Sequence, residues 1–437
     1  MTVKISPRDN EREFRQKLAQ KISGTSVGIW LLVPELLRLG AWDIIKGWTG
    51  KEDMDLDPRI ALQIVNESAL CINRVRRKSS LGHQGFELAN GMGRLVSDEQ
   101  VHLLLDKHTT KQAQTMLLNL GIQRQLSGHY QGDIIAVDPH RIISTSKRIM
   151  SKKRKNPTAP SQKMLQTFFS ISTQTGQPIM ATMSSTGMPT AKATSVLINE
   201  TGKIVRSPSL LVADKEHYTR ELLSVCDEHE NFDLLVPAIK TNRLLKIIKT
   251  LTYRRLWAGF AIAETIFSFD KEEKQYRLIV ERFGEVENNY KFNAFVTTST
   301  SDAKKLICED YEKRWSVEEF FNFENDMGLN RASTHNLNIR YGKLALSMIA
   351  QGATYQLRRK MPSPYENWDA RHLSTDILAL SDGDVRVKGD MIIVTFYGKP
   401  DHINENDYIH LPEILKREKI NPEIPWLYDF KLDFRFK

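Results

Sequence analysis

Between Pro139 and Asn199 the chain carries no aspartate or glutamate. The same stretch holds Arg141, Lys147, Arg148, Lys152, Lys153, Arg154, Lys155, Lys163 and Lys192, a run of one sign with nothing to neutralise it. Cysteine is nearly absent as well. Cys71, Cys226 and Cys308 are the only three in 437 residues, and no two form a C-x-x-C pair. That excludes a disulfide framework and a cysteine-ligated zinc site, and it fits a reducing cytoplasm. Long apolar runs are missing too. The start, MTVKISPRDNEREFRQK, has no apolar core, and the run Gly28 to Trp42 is broken by Pro34, Glu35 and Arg38. Neither an export signal nor a membrane span is expected.

What is present is a 41% hydrophobic chain, enough for one large or two to three ordinary domains. Its formal charge is +9, and the acid-free segment holds the whole excess, because the rest of the chain is balanced. A second acid-free segment, Leu234 to Ala263, contains Lys240, Arg243, Lys246, Lys249, Arg254 and Arg255. A short charge run is ordinarily a solvated loop. Two long ones predict a polyanion such as DNA or RNA, since each cation placed on a phosphate releases counterions. The three-residue spacing of Lys240, Arg243, Lys246 and Lys249 drifts around a helix and makes a broad face suited to backbone contact.

Residues 1 to about 130 read as helical, with amphipathic stretches at Asn10 to Ile22, Val33 to Trp48, Pro58 to Arg77 and Ser97 to Gly121. DIIAVD, from Asp133, has the short apolar run of a buried strand, and Ser144 to Gln162 reads as a surface connection. QTFFSIST and QPIMATMS joined at Thr175-Gly176 predict a hairpin, followed by a helix around Thr190 to Val205 and a buried strand, SLLVAD. Strand, hairpin, helix, strand is the beginning of an RNase H-like layout, a mixed α/β sheet flanked by helices. Alternating runs from about Asn231 to Ser301 predict a β-rich insertion, and a helical tract follows from about Asp302 to about Arg359. The tail, with VRVKGDMIIVTFYG and WLYDFKLDFRFK, predicts extra strands at the edge of the main sheet or of the insertion. The division expected is 1–130 helical and end-recognising, 131–230 with 300–360 catalytic, 231–299 inserted, and 361–437 C-terminal.

Asp138 ends DIIAVD and Asp214 ends SLLVAD. Either alone is most simply a turn or cap residue. With a third acid they could hold two Mg2+ ions about 3.5–4 Å apart, the arrangement used for displacement at a phosphodiester. Glu318 is the candidate, because Tyr311, Arg314 and Glu318 share a helical face on which Arg314 offers a phosphate its planar fork. Alone, Arg314 and Glu318 would be an ordinary i,i+4 surface pair. Asp133, at the other end of its run, and Glu319, rotated about 100° from that face, are the weaker alternatives. Glu216 is a remote one. His140 and His217 are expected at the surface, since Mg2+ prefers oxygen. Trp257 is expected to be a buried sheet residue, with stacking on a DNA base as its other role.

These residues carry a resemblance. Tyr311, Arg314 and Glu318 match the first three letters of Y-x2-R-x3-E-x6-K, the signature of a group of DDE transposases of bacterial insertion sequences; Asn325 stands where that signature has Lys. YEKRWSVEEFF resembles the surrounding pattern, and AVDPHRI and LLVADKEHYT resemble the two Asp segments. The spacings agree, with 76 residues from Asp138 to Asp214 and 104 from Asp214 to Glu318, which leaves room for the insertion. The resemblance implies an RNase H-like catalytic domain that holds Mg2+ or Mn2+, two ions per site, on Asp138, Asp214 and Glu318. It also implies binding to terminal inverted repeats, cleavage of the element ends and joining to target DNA. Double-stranded DNA is then the partner, with a second copy of the chain when ends are bound, in a nucleoid-associated cytoplasmic setting. DNA contacts are expected from Tyr311, Arg314, Asn325, Lys147, Arg148, Lys152 to Lys155, Lys240, Arg243, Lys246, Arg254, Arg255 and Trp257. The rival readings are a related nuclease without strand transfer and a domesticated DNA-binding protein without catalysis.

Overall fold

The computed structural model describes residues 7–25, 27–49, 57–72, 85–144, 149, 151–154, 158–185, 187–269, 274–327, 334 and 336–437. Two compact units result, Gly128–Asn322 and a second built from Met1–Ser127 with Phe323–Lys437.

In the first unit the strands in chain order are β1 (Ile134–Ile143), β2 (Lys152–Lys153), β3 (Gln162–Ser172), β4 (Gln177–Ser185), β5 (Ser209–Ala213) and β6 (Phe232–Pro237). Helix α1 (Thr190–Gly202) joins β4 to β5, and α2 (Arg220–Asp227) joins β5 to β6. The Ile134-Ile135-Ala136-Val137 run is fully buried, as a strand flanked on both edges and covered on both faces requires. β1 pairs antiparallel with β3, which pairs antiparallel with β4. On its other edge β1 runs parallel to β5, and β5 parallel to β6. The order β4-β3-β1-β5-β6 with this mixture of directions is the RNase H-like sheet expected from the sequence. The β3–β4 hairpin turns at Gly176, whose φ of +65° suits glycine.

Beyond β6 come α3 (Asn242–Thr250) and a meander of β7 (Arg254–Trp257), β8 (Phe260–Phe267), β9 (Tyr276–Phe283) and β10 (Lys291–Thr297). β10 pairs antiparallel with β6 through Phe295↔Pro237 and Thr297↔Leu235, so the inserted strands continue the central sheet. The tract after it is not one helix. Ala303–Lys305 opens an α-turn, Leu306–Asp310 is π-helical, Tyr311–Trp315 is a 3-10 turn, and α4 (Ser316–Asp326) is α-helical. Such changes of pitch re-aim side chains and collect at functional sites.

In the second unit the helices are Pro7–Leu18, Leu32–Arg38, Ala41–Thr49, Arg59–Ala69, Phe86–Ala89, Asp98–Lys107, Thr110–Leu126 and α5 (Leu337–Arg358), with short helical segments in the C-terminal part, among them Leu411–Arg417. The single helix expected over Val33 to Trp48 is two, broken at Gly40, where φ is +62°. The one expected over Ser97 to Gly121 is also two, because Thr109 and Gln112 form a capping box that starts afresh. The end of the Pro58 to Arg77 expectation lies outside the described residues. Ile22–Thr25, Asp382–Lys388, Met391–Phe396 and Lys431–Phe436 make a separate four-stranded sheet. The tail strands therefore join neither the main sheet nor the insertion; Ile392, Val394, Phe396, Leu432 and Phe434 bury a core of their own. No helix among the described residues is long and apolar enough to cross a membrane.

Candidate active site

The site forms where β1 and β5 part. Their parallel pairing ends at Val137↔Ala213, so Asp138 and Asp214 are the next residues on neighbouring strands, about 4.8 Å apart by strand spacing. β1 itself does not stop at Asp138; it continues against β3 as far as Ile143↔Met164. Pro139 sits just past the fork, where the edge once facing β5 is unpaired and a missing N–H costs no ladder bond. Asp133, at the opposite end of the run, is exposed, and its carbonyl accepts from the Leu210 amide.

Burial raises the Asp138 carboxyl, and neighbouring Asp214 adds to the rise against His217 and Arg314, so it is pushed up to about 7. Asp214 moves the other way. Burial would lift it, but the hydrogen bond and charge of His217, the Glu216 amide and Arg314 hold it below the ordinary carboxyl range. Two acids sharing one site are thereby split, Asp138 keeping its proton to higher pH than Asp214.

His217 corrects the surface placement expected for it. It is fully buried, its Nδ1 lies 2.9 Å from Asp214 Oδ1, and its Nε2 has no partner. The Glu216 amide donates to the same oxygen at 3.0 Å. Oδ1 of Asp214 is thus engaged twice, and neither bond uses Oδ2. Glu216 pairs with Arg141, and Lys153 Nζ stands 3.5 Å from it. Asp214, Glu216 and His217 present ligand atoms within 4.8 Å of one another.

From the other side comes Arg314, whose Nη1 is 3.9 Å from Asp138 Oδ2 and whose Nε is buried without a partner. Tyr311, three residues earlier on the 3-10 turn, lies beside it; burial raises its hydroxyl, opposed by Arg314 and reinforced by Asp214 and Asp138. The shared face of Tyr311 and Arg314 is thus that of a 3-10 turn, on which i and i+3 eclipse, rather than of an α-helix. α4 then covers the sheet face that carries Asp138. Phe320 and Phe321 pack edge-on against Phe169, the residue directly opposite Asp138 on β3, and Phe321 stacks on His140 at 4.7 Å. Glu318, one turn before Phe321 on that side of the helix, is exposed and makes no ion pair among the described residues.

The donors of Asp138 and Asp214 are carboxylate oxygens, which hard divalent cations prefer, and the two acids stand side by side where a cation would offset their repulsion. The residues fit a cation.

The other predicted contacts lie on several different elements. Lys152 and Lys153 form β2 against Lys163 and Gln162, so they are held to the sheet and are not in a loop. Lys153 is half-buried and also reaches Thr190 Oγ1, while Arg154 is exposed. Lys147, Arg148 and Lys155 lie outside the described residues. Lys240 is exposed, as are Arg243, Lys246 and Lys249 on α3, whose Leu244 and Ile248 are buried. Arg254 and Arg255 are exposed on β7. Trp257, expected to be buried, is 48% exposed and stacks on Phe260 with ring centroids 4.3 Å apart, because β7 is the outermost strand of the meander. Asn325 is half-buried near the end of α4. Sequence reasoning missed His217 as the partner of Asp214; the tight D-x-x-H spacing was the available signal.

Residues 129–351, half of the chain, match the family described as Transposase DDE domain, and the chain belongs to that family. It is a DNA transposase, a metal-dependent enzyme that cleaves and transfers DNA strands. No curated protein matches it. Among solved structures it is similar to a piggyBac transposase in a synaptic complex with hairpin DNA, with 12% identity, 82% of each chain covered and a TM-score of 0.44.

Proposed function

We propose that the chain is the transposase of a bacterial insertion sequence of the Y-R-E-K group, acting by cut-and-paste on the inverted repeats at its element's ends. The observation that carries this is the Asp138/Asp214 fork with Arg314 against it, on an RNase H-like sheet. Asp138, Asp214 and Glu318 would hold two Mg2+ or Mn2+ ions, which supply Lewis acidity and a lowered pKa for the attacking oxygen. The chain's own residues do the rest. His217 and the Glu216 amide fix Asp214 through Oδ1. Arg314, its Nε unpartnered and its Nη1 3.9 Å from Asp138 Oδ2, would grip a phosphate beside the scissile bond, with Tyr311 alongside. The exposed cations Lys152, Arg154, Lys240, Arg243, Lys246, Arg254 and Arg255 bind backbone phosphates, and Trp257 offers a base a flat face. A dimer on paired ends and residence on the nucleoid complete the reading. Asn325 in place of Lys leaves that contact without its charge.

The test is cleavage of a duplex carrying the inverted repeats that flank the gene, with Mg2+ or Mn2+ and then with target plasmid. Nicking at the repeat boundary and joined product are expected. Cleavage without joining would favour a nuclease, and binding without cleavage a domesticated protein.

A further inference from the structure

Among the described residues Arg340 is a buried cation with no acid to balance it. The residue is only 9% exposed, its Nη1 is buried without a hydrogen-bond partner, and no described acid bears on its charge; burial lowers its pKa to about 10. Other arginines of the same unit, Arg124 buried and Arg38, Arg59 and Arg358 half-buried, each have a partner. Arg38 pairs with Glu35 and Glu418, Arg59 with Asp57, Arg124 with Gln351, and Arg358 donates to the Trp368 carbonyl. A water could satisfy the Arg340 N–H but could not neutralise the charge, and an uncompensated buried charge is costly enough to be rare without a use.

Its position says what the use is. Arg340 is the fourth residue of α5, a helix of 22 residues capped by Asn336, whose side chain accepts from the Asn338 amide. Side chains lean toward a helix's N-terminus, so the guanidinium reaches back to the end where the helix dipole favours anions. Asp106, an acid held at this end of the helix, is engaged by Asn336 and, through its carbonyl, by Asn338. A buried, charged fork at a helix N-terminus is the chemistry that takes a phosphate.

We propose that Arg340 and the N-terminus of α5 form an anion subsite that takes a backbone phosphate of the bound DNA strand. This rests on the DNA-transposase reading. Arg340→Met, which keeps the length and removes the charge, should raise the melting temperature of the free protein. It should also weaken duplex binding about tenfold or more and lower the salt slope by about 0.9. In the wild type, amide exchange of the peptide spanning 336–345 should slow when a 30-base-pair end duplex is added. A lower melting temperature with unchanged affinity and slope would make Arg340 a structural residue and overturn the subsite, as would unchanged exchange in the wild type. Stabilisation of the wild type by inorganic phosphate, lost in Arg340→Met while duplex affinity stays equal, would mean a free-phosphate site and overturn the strand assignment. Wild type that neither binds nor cuts end DNA would sink the transposase reading itself; wild type that cuts normally while Arg340→Met binds equally well sinks only the subsite.

Discussion

The Nδ1 of fully buried His217 stands 2.9 Å from Oδ1 of Asp214, three residues earlier in a tight turn that the same carboxylate caps. The ring cannot leave without opening the core, so the carboxylate is held in one orientation. His217→Ala should keep DNA binding but shift the Mg2+ concentration for half-maximal cleavage upward by about 10–100-fold, the usual cost of losing a hydrogen bond to a ligating group. His217→Asn, which can still donate one, should recover part of the loss. Equal Mg2+ curves for all three proteins would remove His217 from the machinery.

Asp138→Asn, Asp214→Asn and Glu318→Gln should each abolish cleavage while leaving gel-shift affinity for end DNA nearly unchanged. Loss of binding in all three would mean that they maintain the fold.

Asp138 gives the free protein a pH dependence of definite sign. Its folded pKa of about 7 lies above the ordinary 3.8, so between those values the folded state binds more protons than the unfolded one. The stability it contributes is present below about pH 4 and is lost as pH rises through 7. In EDTA, the Asp138→Asn variant should therefore gain melting temperature over wild type at pH 7.5, keep only a smaller part of that gain at pH 5 and lose it below about pH 4. Addition of Mg2+ should stabilise wild type more at pH 7.5 than at 5.5. Parallel melting curves for wild type and variant across this range would refute the assignment.

Arg314→Lys keeps a charge but not the planar fork, so end cleavage should fall further than end binding. Full activity would make the geometry of the arginine irrelevant. Asn325→Lys on the same duplex should tighten binding by up to one charge-assisted contact, about 1–2 kcal/mol.

Charge reversal at Lys152 and Arg154 should weaken binding to any duplex and lower the salt slope by about 0.9 per lost contact. Lys153, drawn to Glu216 and Thr190, should contribute less to that slope and more to stability. Trp257→Ala, at an exposed edge strand, should cost little stability and reduce end binding; unchanged binding would leave Trp257 as a cover for Phe260.

Local pattern is enough for strands whose apolar runs must be buried wherever they are packed. DIIAVD and SLLVAD each end in an acid, and QTFFSIST and QPIMATMS flank a Thr-Gly turn, so the first half of the central sheet and its two aspartates were legible from local pattern. Tertiary structure decided what local pattern does not contain. Whether inserted strands stand alone or extend a sheet depends on a free edge, here that of β6, which β10 takes. Whether Trp257 is core or surface depends on its strand being outermost. The changes of pitch across residues 303–326, which turn Tyr311 and Arg314 toward the fork, follow from packing against the sheet and leave no mark in the 3.6-residue period. The burial of His217, which makes it a partner of Asp214 and not a surface residue, was settled by the chain folded over it. Hydrophobic period fixes which face of an element is buried, but which neighbour covers that face is set by contacts distant in sequence.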